Sequence, residues 1–211
     1  MSEFCQFCTE FSAARTSRSR IIWEDNHLLL LPTIGCLRPG YCLLMPRMHR
    51  RSFAALSEDE LSDAENSLRC LRDRIAERYG PMIVAEHGSG ECDMGASCCD
   101  HAHLHLIPLP GLVDPLVDIY QEVGGKPRVL SSLVDLRSFN GRPYLFLSPR
   151  DGLYMVWTNV ERFKRQFVRW ATAKLMGVED FYNWRNYHFA HNMLITKADL
   201  EEHLAEFLAC A

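Results

Sequence analysis

The chain has 211 residues, 47% of them hydrophobic and 24% charged, with nine cysteines and a formal net charge of −4. That composition suits one large domain or two small ones sharing a core, and its acidic balance excludes a protein that coats DNA or RNA, which needs a basic face against phosphate. No run approaches the roughly 20 apolar residues needed to span a bilayer, and no basic-apolar leader opens the chain, so no membrane is expected and the cysteines read as thiols or metal ligands in a reducing cytoplasm.

In chain order, a Cys5-x-x-Cys8 segment and a polar, arginine-bearing stretch from Ser12 to Arg20 precede two short apolar runs, Ile21 to Trp23 and Leu28 to Leu31, which predict a hairpin. Pro39-Gly40 leads to a third strand, Tyr41 to Met45, ending in Pro46-Arg47-Met48-His49. Ser57 and Glu60 form a capping box, and Leu61, Ala64, Leu68, Leu71 and Ile75 recur on one face, so Ser57 to Tyr79 predicts a long helix stopped by Gly80-Pro81. A strand is expected at Met82 to Ala85 and a loop at Glu86 to Cys99.

The second half predicts helices at Pro115 to Val123 and Ser131 to Phe139, then strands at Tyr144 to Leu147 and Leu153 to Trp157 around the Arg150-Asp151-Gly152 turn. A helix follows over Val160 to Met176, with Phe163, Phe167, Trp170, Ala171 and Leu175 inward and Lys164, Arg165, Arg169 and Lys174 on the solvated remainder. Thr196 is the expected cap of a last helix, Lys197 to Leu208. No internal repeat or low-complexity tract occurs.

Residues 100 to 108 read DHAHLHLIP. An extended chain sends alternate side chains to one face, so His101, His103 and His105 line one surface while the interleaved aliphatics bury themselves on the other. As inert core, three imidazoles would need three sets of hydrogen-bond partners while contributing little apolar burial. They could instead form a metal site, a nucleophilic imidazole with helpers, or a proton relay. Neither His-Glu-x-x-His nor a His-x-His-x-Asp-His arrangement occurs, which counts against a catalytic metal.

His-x-His-x-His followed by apolar residues resembles the signature of the histidine triad superfamily of nucleotide hydrolases and transferases. The resemblance extends through residues 1 to 108, to Cys5 and Cys8, to the strand ending Pro46-Arg47-Met48-His49 and to the helix beginning at Ser57. Beyond it, Gln166 to Leu175 and Trp184-Arg185 look like segments of larger, two-part members. The superfamily's usual Asn and Gly-Gln ahead of the triad are absent, replaced by Glu86-His87-Gly88 and Gly95-Ala96-Ser97-Cys98-Cys99-Asp100.

The resemblance implies an α+β fold: an antiparallel sheet carrying the triad with one long packed helix in residues 1–110, and an α/β extension in 111–211 contributing to core and pocket. It assigns His103 as nucleophile at an α-phosphorus, giving a covalent nucleotidyl-imidazole, and chemistry agrees, since neutral imidazole is nucleophilic near pH 7. His105 would donate to a non-bridging oxygen or the leaving group, its positive charge stabilising the transition state. Because transferase members typically carry Gln at the His105 position, hydrolysis of a nucleotide conjugate leads; nucleotidyl transfer or phosphorolysis, and a non-catalytic nucleotide-binding module, are the alternatives. Ser97 and Arg47 are the candidate substrate-binding residues. Cys5 and Cys8 need two further ligands to close a structural zinc site, and His49 and His101 are the candidates, matching zinc-bearing members. Cys92, Cys98 and Cys99 with His87 form a less favoured rival site. A nucleotide substrate and a homodimer are compatible with this reading.

Overall fold

A computed structural model of the protein describes residues 5–13, 19–88 and 101–208. The apolar runs pair as strands: β1 Trp23–Glu24, β2 Leu28–Pro32, β3 Cys42–Pro46, β4 Met82–Gly88, β5 Leu104–Pro108, β6 Arg128–Leu130, β7 Tyr144–Arg150 and β8 Leu153–Trp157. They form an antiparallel sheet in the order β1-β2-β3-β5-β4-β7-β8-β6, so β5 lies in the middle with β3 and β4 on its flanks. The α+β architecture is as expected.

Both faces of the sheet are covered, which is why β2 reads as four consecutive leucines instead of an alternating strand. On one face Leu28, Leu30, Leu44, Val84, Leu104, Leu106 and Phe146 pack under Leu61, Ala64, Leu68, Leu71 and Ile75. Those five lie on α2, Glu58–Tyr79, which follows the short α1, Gln6–Ala13. The α2 capping box is complete: the Ser57 hydroxyl accepts from Glu60 N–H and the Glu60 carboxylate from Ser57 N–H. Burying five such side chains, at about 1.5–3 kcal/mol for each large aliphatic, anchors the helix far more strongly than its cap.

On the opposite face, Leu29, Leu31, Leu43, Ala85, Ile107, Leu145, Leu147 and Trp157 pack beneath α3, Val113–Gly124, and α4, Phe167–Leu175. His105 pairs in register with Leu43 of β3 and Ala85 of β4, which places its side chain on this second face. The residues after 110 thus supply three strands of the same sheet and the helices roofing the histidine face.

Several local expectations shift. β4 continues through Glu86 and His87, where a loop was expected, because its outer edge pairs with β7 as far as Gly88↔Tyr144. Regular β5 begins at Leu104, so His101 and His103 occupy the approach to the strand. The helix expected over Val160 to Met176 splits into a 3-10 turn, Val160–Arg162, and α4, because Gln166 adopts a left-handed conformation with φ 59°. The break lets Phe163 and Phe167 meet at 4.7 Å and Phe167 pack edge-on to Tyr120 at 4.9 Å. Leu133–Phe139 is a 3-10 helix.

The last helix, α5, starts earlier than expected and spans Ala190–Leu208. Thr196 is therefore interior, not a cap; its hydroxyl donates to the Asn192 carbonyl at 2.7 Å and accepts from Gly40 N–H at 2.9 Å. The periodic pattern did not announce α1, whose helix is set by long-range contacts of Cys5, Cys8 and Phe7, nor the three-residue β6. Among the described residues no helix is long and apolar enough to cross a membrane.

Candidate functional site

His103 and His105 share one cleft, with ring centroids 4.7 Å apart. The cleft encloses about 460 Å³ open to solvent and is lined by Gln6 and Phe7 of α1, by Arg20, Thr33, Ile34 and Leu43, and by Arg169 and Trp184 from the second half of the chain. His101 points elsewhere, toward the cysteines of the N-terminal segment.

For His103 the tautomer follows from geometry. Its Nδ1 lies 2.7 Å from the His101 carbonyl oxygen, which can only accept, so Nδ1 carries the proton and Nε2 the lone pair. His105 is oriented through its Nδ1, 2.7 Å from the Tyr41 hydroxyl, while its Nε2 is buried with no hydrogen-bond partner among the described residues. Burial first, then the neighbouring charges of His103, His87 and Arg169, hold the His105 imidazole well below its ordinary pKa. The expected positive charge on His105 is thereby corrected: near neutral pH this ring is an uncharged donor or acceptor.

His87 stands beside it, rings 5.8 Å apart. Burial and then the charge of His103 push its pKa down to about 3, and its Nε2 accepts the backbone N–H of Val168 at 3.2 Å. His87 is thus engaged with α4. Cys92, Cys98, Cys99 and Ser97 lie outside the described residues.

One of the two arginines lining the cleft comes from α4. Arg169 is 2% exposed, although the sequence pattern placed it on a solvated face. Its Nε donates to the Tyr182 carbonyl at 2.8 Å, its Nη2 to the Gly35 carbonyl, and its Nη1 is buried without a partner among the described residues. Gly35, at φ +74°, is required here: a Cβ would lie 2.6 Å from Trp184 Cβ and 2.7 Å from Arg169 Nη2. Arg47, by contrast, ion-pairs with Glu24, donates to the Asp25 carbonyl at 2.8 Å, and lines a separate depression with Asn26, His27 and Glu60. The structure does not bring it to the two histidines.

The four expected metal ligands do converge. The ligand atoms of Cys5, Cys8, His49 and His101 all lie within 4.8 Å of one another. His101 Nδ1 is 3.6 Å from Cys5 Sγ and 3.7 Å from Cys8 Sγ, and His49 Nδ1 is 3.5 Å from Cys8 Sγ. Ligand atoms around a tetrahedral zinc stand about 3.3–3.8 Å apart, so the spacing fits. His101 Nε2 donates to the Pro46 carbonyl at 2.7 Å, which leaves the Nδ1 lone pair facing the thiols, as a neutral metal-binding imidazole requires. Burial in the main pushes the His101 pKa down to about 4, favouring that neutral form.

No protein-family model matches the sequence, and no curated protein does. Similar solved structures exist. Several of its solved neighbours are histidine triad proteins. One is a HIT family protein from Bacillus anthracis, 22% identical, TM-score 0.43, covering 51% of this chain and 74% of that one. Another, a HIT family member from Bacillus subtilis, is 20% identical, TM-score 0.44, with 52% and 75% covered. A zinc-bound histidine triad family protein from Mycobacterium smegmatis is 20% identical, TM-score 0.40, with 50% and 74% covered.

The sequence reading missed Tyr41 as the partner of His105, and it held Arg169 only as one of five arginines, with Arg47, Arg50, Arg51 and Arg165, that could neutralise substrate phosphates or simply face solvent. A signal for Arg169 existed: it is flanked by Val168, Trp170 and Ala171 on a helix whose neighbours are apolar on both sides. Nothing local identifies Tyr41, whose role depends on the register of β3 against β5.

Proposed function

We propose that this protein is a nucleotide hydrolase, cleaving a nucleoside phosphate conjugate through a covalent nucleotidyl-His103 intermediate. The observation that carries the reading is the hydrogen bond from His103 Nδ1 to the His101 carbonyl, which puts the lone pair on Nε2 of a ring that lines the cleft. In the first step an Nε2–P bond forms as the P–O or P–N bond to the leaving group breaks, its electron pair departing with that group. Water then attacks the same phosphorus. The N–P bond breaks, its pair returns to Nε2, and a nucleoside monophosphate and a proton are released.

His105 serves as a hydrogen-bond donor in this scheme. Donation from the Tyr41 hydroxyl to Nδ1 leaves the proton on Nε2, where it meets a non-bridging or departing oxygen. Cys5, Cys8, His49 and His101 would hold zinc; a closed four-ligand ion leaves no position for water, so it would organise α1 against the catalytic segment and take no part in the reaction.

The test is incubation of purified protein with dinucleoside polyphosphates and nucleoside phosphoramidates, with and without added phosphate. Nucleoside monophosphate formed from water, and its abolition in a folded His103→Ala protein, is the expected result. Phosphorolysed products would replace hydrolysis by transfer, and turnover retained in His103→Ala would remove His103 from the nucleophilic role.

A further inference from the structure

The cleft holds two guanidinium groups in different states. Arg20 is consumed: its Nε and Nη2 reach Glu10 at 2.8 and 2.6 Å, and its Nη1 donates to the Pro32 carbonyl at 2.5 Å. Among the described residues Arg169 hydrogen-bonds only to backbone carbonyls, has no carboxylate partner, and leaves one nitrogen without an acceptor. A buried guanidinium normally pairs with an anion, because desolvating an uncompensated charge is costly. The same cleft holds the His105 Nε2, likewise buried and unpartnered. Both residues line that cleft, and each keeps one buried nitrogen without a hydrogen-bond partner among the described residues, one of the two on a cation.

The charge of Arg169 is also directed. Its guanidinium carbon stands 5.5 Å from the centre of the Tyr41 ring, and the Tyr41 hydroxyl is 2.7 Å from His105 Nδ1. The arginine is held by Nε and Nη2 so that Nη1 is left over, and that hold depends on Gly35, whose place no side chain could share. This is a rigid donor rather than a flexible surface cation.

We propose that Arg169 determines substrate class by binding the phosphate of the leaving group, making the preferred substrate a nucleoside phosphoanhydride over a phosphoramidate or ester with an uncharged leaving group. The inference rests on the reading of His103 as nucleophile. As the bond from phosphorus to the bridging oxygen breaks, the electron pair moves onto the terminal phosphate of the leaving group, and that is where a fixed cation lowers the barrier. A neutral leaving amine or alcohol would gain nothing from Arg169 and would leave its Nη1 unpaired.

Two measurements test it. The first is calorimetric titration of inorganic pyrophosphate into unmodified protein, His103→Ala, Arg169→Lys and Arg169→Gln, each checked for folding by thermal melting. Binding should persist in His103→Ala, fall at least about 30-fold in Arg169→Gln, and be partly kept in Arg169→Lys, the loss expected of a charge-assisted hydrogen bond to a buried anion. The second is kcat/KM for diadenosine tetraphosphate against adenosine 5′-phosphoramidate. Arg169→Gln should lose about 30-fold on the first and less than threefold on the second.

Pyrophosphate that does not bind unmodified protein, or binds Arg169→Gln equally well, overturns the proposal, as does an equal loss on both substrates. If Arg169→Gln does not fold, the unmodified protein and Arg169→Lys decide: no preference for the phosphoanhydride, or an unchanged preference in Arg169→Lys, overturns it. Arg169-dependent pyrophosphate binding without turnover of either substrate would leave the subsite standing while the hydrolase reading fell.

Discussion

His87 Nε2 on β4 accepts the backbone N–H of Val168, 3.2 Å away in the first turn of α4. The next residue along α4 is Arg169, so this one bond ties the position of the cleft's cation to the strand beside His105. A ring nitrogen here replaces the carbonyl or cap that a helix start usually finds, since Gln166 makes no side-chain cap.

Replacing His87 with Leu keeps the volume and orphans the Val168 N–H. The expected cost is about 1–3 kcal/mol in denaturant unfolding. The bond also requires neutral His87, whose pKa lies down at about 3 against an ordinary 6.5. Its folded value is depressed, so its stabilisation is complete above pH 6.5 and is lost as pH falls toward 3. Unfolding free energy of the parent should therefore drop more steeply over that window than that of His87→Leu. Parallel pH profiles would count against the assignment.

Glu86 supplies the opposite slope. Its carboxylate is buried on the other face of β4, accepting from the Phe53 N–H at 2.8 Å and from the Tyr144 hydroxyl, and burial pushes its pKa up from 4.5 to about 7. A raised folded pKa means stability that is present below pH 4.5 and is lost as pH rises through 7. The shift corresponds to about 3 kcal/mol at most. Glu86→Gln should flatten the decline between those limits; an unchanged profile in urea titrations would show that Glu86 does not produce it.

Removing the Tyr41 hydroxyl takes away the group that orients His105. Tyr41→Phe should lower kcat by about tenfold with KM little changed, and cost about 1 kcal/mol of stability, one buried hydrogen bond. Steady-state kinetics and unfolding of the same preparation check both. A wild-type kcat would exclude the orienting role.

Zinc should be present at about one ion per chain in protein purified without chelator, and absent from Cys5→Ser, by elemental analysis. Because Phe7 of α1 packs 6.3 Å from the His103 ring and lines the cleft, metal removal should lower the melting temperature and weaken nucleotide binding together. A metal-free parent would defeat the structural-zinc reading.

The elements marked by a local pattern of caps, turns and apolar spacing were legible in the chain itself. α2 was readable from its capping box and its apolar stripe, the β1–β2 and β7–β8 pairs from apolar runs flanked by turn residues, and the converging ligands Cys5, Cys8, His49 and His101 through a motif resemblance. The α4 break, the interior position of Thr196 and the start of β5 were not, because each is decided by a hydrogen bond or a ring contact with a distant residue.

What the amino-acid order alone determined is the set of local patterns: alternation, helical stripe, cap and ligand spacing, all governed by forces that act within a few residues. What only the tertiary structure decided is charge in the cleft. Burial disfavours a charge on His105 and sets Arg169 in the cleft without a carboxylate partner among the described residues, and burial is a property of the packed whole, since solvation of a group depends on which distant elements exclude water from it.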